Sequence, residues 1–212
     1  MMQGILEEAI GLELQHINVK LLLENPEQLD LNAVVNVFHS WIQGQVCDEL
    51  LLDVADYRHV YQGPGIVLIG HEADYSIDNT DGQLGLRYNR KARLEGSNQS
   101  RLVQATRAIL NAAERLQGDT RLNSKWNFNG QEIQIFINDR VIAPNVAETQ
   151  QAIEPELRSF LDSLFGEVGY SSTFEPSARR LLSATVKASH PLTVSNLLAN
   201  LKVSERTSHG IA

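Results

Sequence analysis

Between Asp53 and Arg93 the chain reads DVADYRHVYQGPGIVLIGHEADYSIDNTDGQLGLRYNRKAR. Six carboxylates (Asp53, Asp56, Glu72, Asp74, Asp78, Asp81), two histidines (His59, His71) and four tyrosines (Tyr57, Tyr61, Tyr75, Tyr88) lie there, in or beside short apolar runs. Four cations, Arg87, Arg90, Lys91 and Arg93, close the stretch. Carboxylate and neutral imidazole are the ligands a divalent cation takes, and a water on such an ion becomes a nucleophile near neutral pH. Asp53, His59, His71 and Glu72 are therefore the catalytic candidates, with Asp56 beside them. His59, His71, Glu72 and Asp74 are the ligands if an ion binds. That chemistry requires the loops after two strands to meet at one end of a sheet. The alternative is that these are polar loop groups bonding to nearby backbone.

The cations support a different chemistry. Arg87, Arg90, Lys91 and Arg93 precede Gly96-Ser97-Asn98, where a helix should begin. A helix N-terminus has free N–H donors and partial positive charge, and arginine has forked donors matched to phosphate or carboxylate. Arg87, Arg90, Lys91, Arg93, Ser97 and Asn98 thus form a candidate site for a small anion. Pairing of the cations with the preceding carboxylates is the competing reading. Gly63-Pro64-Gly65 and Gly70 bracket an apolar run, which permits a close backbone or ligand approach or simply makes turns.

The elements that must hold these residues follow from periodicity. Leu12–Leu23 alternates and then runs apolar, as a strand does, and Asn25-Pro26 stops it. Asp30 should cap a helix whose stripe is Leu31, Val34, Val35, Phe38, Trp41 and Ile42, ended by Gly44. Glu49–Val54 and Ile66–Ile69 read as strands. Tyr75–Ile77 and Leu84–Tyr88 read as a hairpin with Gly82 at positive φ. A long helix runs from Ser97-Asn98 to Leu116. Trp126–Phe128 and Glu132–Ile137 predict a second hairpin turning at Asn129-Gly130. A third helix carries Ile153, Leu157, Phe160 and Leu164, with Pro155 in its first turns or splitting it. Tyr170–Phe174 and Leu181–Ala188 make a last strand pair. A short helix begins after His190-Pro191, and a polar tail from about 203 should fray. The fold class is α+β: a mixed or antiparallel sheet with hairpins and about four helices packed on it. One domain spans 1–212, with a loose recurrence between 12–118 and 124–202.

Composition narrows the function. A chain of 212 residues with net charge −8 disfavours adhesion to nucleic acid or anionic membrane. The N-terminal segment MMQGILEEAIGLELQ has no basic start, so it is not read as a secretory signal, and no apolar run is long enough to span a bilayer. One cysteine, Cys47, rules out an internal disulfide and fits a cytoplasmic setting. Fingerprints for dinucleotides, P-loops, nucleophile elbows, zincins and Cys-x-x-Cys pairs are all missing, so no cofactor or metal is expected.

At Asp53-Val-Ala-Asp-Tyr, Gly63-Pro-Gly, Gly70-His-Glu and Tyr88-Asn-Arg-Lys the chain resembles a group of bacterial, notably cyanobacterial, proteins of unknown function. The resemblance covers most of the chain and implies no activity, ligand or functional residue. The sequence thus predicts a non-enzymatic binding or interaction protein, with a small anionic ligand and a homo-oligomeric state as its partners. The alternative is a metal-assisted hydrolase using the Asp/His/Glu cluster.

Overall fold

The computed structural model describes residues 12–209. Most of the N-terminal segment considered above therefore lies outside the described residues, as do 210–212.

In the first strand, β1 (Ile17–Leu23), Ile17, Val19, Leu21 and Leu23 alternate with Asn18, Lys20 and Leu22. α1 (Leu31–Gly44) starts where Asp30 Oδ1 accepts the Asn32 N–H, and buries Val34, Val37, Phe38 and Trp41. β2 (Leu51–Tyr57), β3 (Gly65–Gly70), β4 (Ala73–Asp78) and β5 (Gly85–Arg90) form an antiparallel meander. The expected β4–β5 connection is present, with Gly82 at φ 70° and Asp81 also left-handed at φ 63°. Ser97 caps α2 (Asn98–Gly118) by accepting from the Ser100 N–H. Then come β6 (Phe128–Ile137), α3 (Ala147–Phe165), β7 (Tyr170–Phe174), β8 (Leu182–Ala188) and α4 (Val194–His209).

The strands form one antiparallel sheet in the order β2-β3-β4-β5-β1-β6-β8-β7. The succession strand, helix, strands, helix occurs twice, and the two leading strands, β1 and β6, are central neighbours. α1 packs on β2 and β3, α2 on β1 and β5, α4 on β6, and α3 on α2 and α4. Ile66, Leu68, Tyr75, Ile77, Leu86, Tyr88, Val19, Leu21, Ile133, Ile135, Ala184 and Val186 face these helices and are buried. At about 1.5–3 kcal/mol for each large apolar side chain buried, this face accounts for the helices' attachment.

Register places the alternate residues on the other face, which no helix covers. Lys20 pairs with Arg87 on one side and Gln134 on the other, Asn18 with Asn89 and Phe136, and Gln134 with Thr185. That face is polar although its centre is buried: Asn18, Lys20, Ser76 and Asp78 are all nearly inaccessible.

Three expectations need correction. Asn129-Gly130 is not a hairpin turn; it lies inside β6, whose partners are β1 and β8. β6 runs from Ile133 to Phe128 against only Leu21 to Leu23 of β1, so the excess residues bulge. Gly130 serves a close approach, since a Cβ there would stand 2.2 Å from the Leu192 carbonyl oxygen. Pro155 lies in the middle of α3 without splitting it. It removes one ladder hydrogen bond, and Pro155 and Gln151, the residue whose carbonyl loses that donor, are both exposed, so water can replace it. Finally, α4 is not short: its backbone is helical to His209, through most of the stretch expected to fray. Among the described residues no helix is long and apolar enough to cross a membrane.

Candidate functional site on the helix-free face of the sheet

The histidine–carboxylate cluster does not assemble. β2 and β3 are neighbours but antiparallel, with Leu51 opposite Gly70 and Tyr57 opposite Gly65. His59 therefore lies in the connection beyond Tyr57, and His71 beyond the opposite end of the pair, about 20 Å away at 3.3 Å per residue. The two cannot share an ion. The carboxylates and His71 each have a local partner instead. The Asp53 carboxylate accepts its neighbour's N–H, from Val54. Asp56 accepts from the Arg58 guanidinium and backbone, which pull its carboxyl down to about 2. His71 Nδ1 is 3.1 Å from Glu72 Oε1, and Glu72 also accepts from the Leu50 N–H; the His71 contact lowers the Glu72 pKa. Asp74 pairs with Lys91 at 2.7 Å and accepts from the Gly70 N–H. Among the described residues no three His, Cys, Asp or Glu side chains form a group that could hold a metal ion.

The candidate anion site at the start of α2 is likewise occupied by the protein itself. Asn98 Oδ1 accepts the Leu14 N–H at 2.7 Å, and Asn98 Nδ2 donates to the Leu12 carbonyl and to Glu156. Arg93 pairs with Glu13, Arg90 Nε donates to the Ala92 carbonyl, and Lys91 Nζ donates to the Gly70 carbonyl. Buried Arg101 fills the remaining space, bonding Glu13, Leu14, Leu94 and Asn98. Of the four cations singled out in sequence, Arg87 lines a cavity elsewhere.

That cavity, of about 220 Å³, sits on the helix-free face over the centre of the sheet. Its floor is an ion pair: Lys20 Nζ lies 2.5 Å from Asp78 Oδ1, with both side chains almost wholly buried. A Cβ at Gly85 would stand 2.4 Å from the Leu21 carbonyl oxygen and 3.1 Å from Lys20 Cε, so glycine there admits the β1 backbone and leaves room beside the lysine. Asp78 also accepts from the Thr80 N–H and hydroxyl, and Arg87 Nη1 stands 3.9 Å from its second oxygen. The Arg87 guanidinium lies 4.6 Å over the centre of the Phe136 ring. Burial lowers the Lys20 pKa, with Asp78 opposing, and burial also lowers that of Arg87. Both cations thus stand in a medium that penalises uncompensated positive charge.

Three more arginines form the rim. Arg140 follows β6, and Arg179 and Arg180 precede β8. Arg180 pairs with Asp81 and, at 3.2 Å, with Glu175. Arg140 and Arg179 have no ion-pair or hydrogen-bond partner among the described residues. Five cations and two carboxylates therefore line a concavity in a protein of net charge −8. A larger trough of about 590 Å³ runs between α3 and β7. Among its polar groups Arg158 pairs with Glu154 and the Tyr170 hydroxyl donates to Asp162. Its one cation, Arg158, is paired, and the charge without a partner among the described residues is the carboxylate of Glu167, so it lacks the unpaired guanidiniums of the smaller cavity.

The sequence held one overlooked signal: Lys20 stands in the middle of an apolar strand, where a charge needs a partner. The partner is 58 residues away, beyond the reach of spacing arguments. A second buried polar cluster was also missed. Glu49 accepts from the hydroxyls of Tyr75 and Tyr88 at 2.8 and 2.7 Å, and Gln104 donates to Tyr88. It pins the segment before β2 to β4, β5 and α2.

Comparisons with protein-family models, with curated proteins and with solved structures find no match.

Proposed function

We propose that this is a binding protein for a small anionic ligand, held on the helix-free face of the sheet by Arg140, Arg179 and Arg87 over the Lys20–Asp78 floor. The observation that carries this reading is the pair of unpartnered guanidiniums at a concave site in an acidic chain. Forked, permanently charged donors at such a place suit phosphate or carboxylate oxygens. A binding role is favoured over a catalytic one because both carboxylates there are already paired, Asp78 with Lys20 and Asp81 with Arg180. The experiment is thermal unfolding with added phosphate, sulfate or citrate. A ligand at a hundred times its Kd adds about 2.7 kcal/mol of stability, so a dose-dependent rise in Tm supports the reading. No rise with any of the three anions contradicts it.

The cytoplasmic setting and the kinship with the cyanobacterial group belong to the same proposal, resting on lone Cys47 and on four short motifs. So does self-association. Its carrier is the exposed edge strand β2 with its flanking residues: Leu52 and Tyr57 in the strand, and Leu50, Val60 and Tyr61 beside it, are apolar and accessible. Sedimentation tests it: a dimer dispersed by Leu52→Lys supports it, and a monomer at all concentrations rejects it.

A further inference from the structure

A second cavity of about 420 Å³ adjoins the cationic one. The two share Asp81, Gln134, Phe136, Arg180 and Ser183 as a common wall. Their linings differ in kind beyond that wall. The first adds the unpaired Arg140 and Arg179. The second adds Gln62, Gln83, Glu175 and Thr185 and no further cation.

The second compartment has the chemistry of a hydroxyl-recognising surface. Gln134 Nε2 donates to Gln83 Oε1 at 2.9 Å, which fixes both amides and leaves the Gln83 amino group and the Gln134 oxygen to offer outward. The hydroxyls of Ser183 and Thr185 stand beside them, with no side-chain hydrogen bond to any described residue. An amide presents both a donor and an acceptor, and a hydroxyl does both from one atom. Such a set matches a ligand that also donates and accepts at neighbouring atoms, as the hydroxyls of a sugar do. A second phosphate would call for a further cation, and an apolar body for a greasier wall. The combined space falls in the usual range for small-molecule sites.

Resting on the anion-site reading above, we infer that the ligand is a phosphorylated sugar. Its phosphate sits between Arg140 and Arg179, and its hydroxyls lie along Gln83, Gln134, Ser183 and Thr185. A free sugar phosphate and a mononucleotide share that chemistry.

Isothermal titration calorimetry on the full chain tests this with inorganic phosphate, ribose, ribose 5-phosphate and adenosine monophosphate. Ribose 5-phosphate or adenosine monophosphate is expected to bind about tenfold tighter than phosphate or more, the yield of one or two neutral hydrogen bonds. Ribose alone should give no heat. The surface variants Gln83→Ala and Thr185→Val should erase the advantage and leave phosphate affinity unchanged. Adenosine monophosphate exceeding ribose 5-phosphate identifies a nucleotide source; equality identifies a free sugar phosphate. If phosphate binds and neither sugar ester binds tighter, the sugar inference is overturned while the anion site stands. If no phosphate-bearing probe binds, both fail.

Discussion

Lys20 and Asp78 stand 2.5 Å apart with their side chains 2% and 3% exposed, one at the centre of β1 and the other at the end of β4. A charge in that position is tolerable only because its counter-charge and further donors are already present. Removing one partner leaves the other buried and uncompensated, a loss of about 3–5 kcal/mol. Asp78→Ala should therefore cost about that much in urea unfolding. The double variant Lys20→Met with Asp78→Leu should recover most of it, because an apolar pair of similar volume replaces the ion pair without a desolvation penalty. A double variant no more stable than Asp78→Ala would show that the pair contributes more than charge compensation.

Glycine substitutions separate the two explanations of Asn129-Gly130. Gly130→Ala puts a methyl group against the Leu192 carbonyl, and overpacking of that kind costs about 1–3 kcal/mol. Gly118→Ala, at the end of α2, meets nothing within 4 Å and should be neutral or stabilising by up to about 1 kcal/mol. Chemical denaturation of the two variants side by side reads the difference. Equal effects would contradict the close-approach account.

These two glycines also show what was legible in the sequence. Caps and turns are local: Asp30, Ser97 and Gly82 each act within three residues of their position, and each was placed correctly. Asn129-Gly130 gave the same kind of local signal and misled, because its flanks pair outward with β1 and β8 rather than with each other. Strand direction decided the site in the same way. Two loops each following a strand look adjacent in sequence, but antiparallel pairing of β2 with β3 sends His59 and His71 to opposite ends. Arg87 was found because arginines cluster near it. Lys20, Arg140 and Arg179 were not, since only the completed sheet order brings β1, the end of β6 and the start of β8 together.

Cys47 should be a slow nucleophile. Burial pushes its thiol up to about 11 from an ordinary 9.0, with a hydrogen bond to Tyr75 opposing. A thiol whose folded pKa is raised gives stability that is complete below the unfolded value and is lost as pH climbs from about 9 towards 11. Iodoacetamide at pH 8.5 should therefore label the unfolded chain much faster than the folded one, with the folded rate still rising above pH 9.5. A folded rate that levels off near pH 9 would contradict the burial argument.

Arg140 and Arg179 pair with nothing among the described residues, so they should contribute little to folding. The double variant Arg140→Ala with Arg179→Ala should unfold within about 0.5 kcal/mol of the parent. It should also lose the anion-dependent rise in Tm. Retention of that rise would place the anion elsewhere.

The most direct test of the central claim is nuclear magnetic resonance of arginine side chains in ¹⁵N-labelled protein titrated with phosphate. The Nε–H signals of Arg140, Arg179 and Arg87 should shift together and saturate, while those of Arg90 and Arg93, committed to Ala92 and Glu13, stay fixed. Saturable shifts at Arg90 and Arg93 instead, or none at any arginine, would contradict a ligand site on the helix-free face.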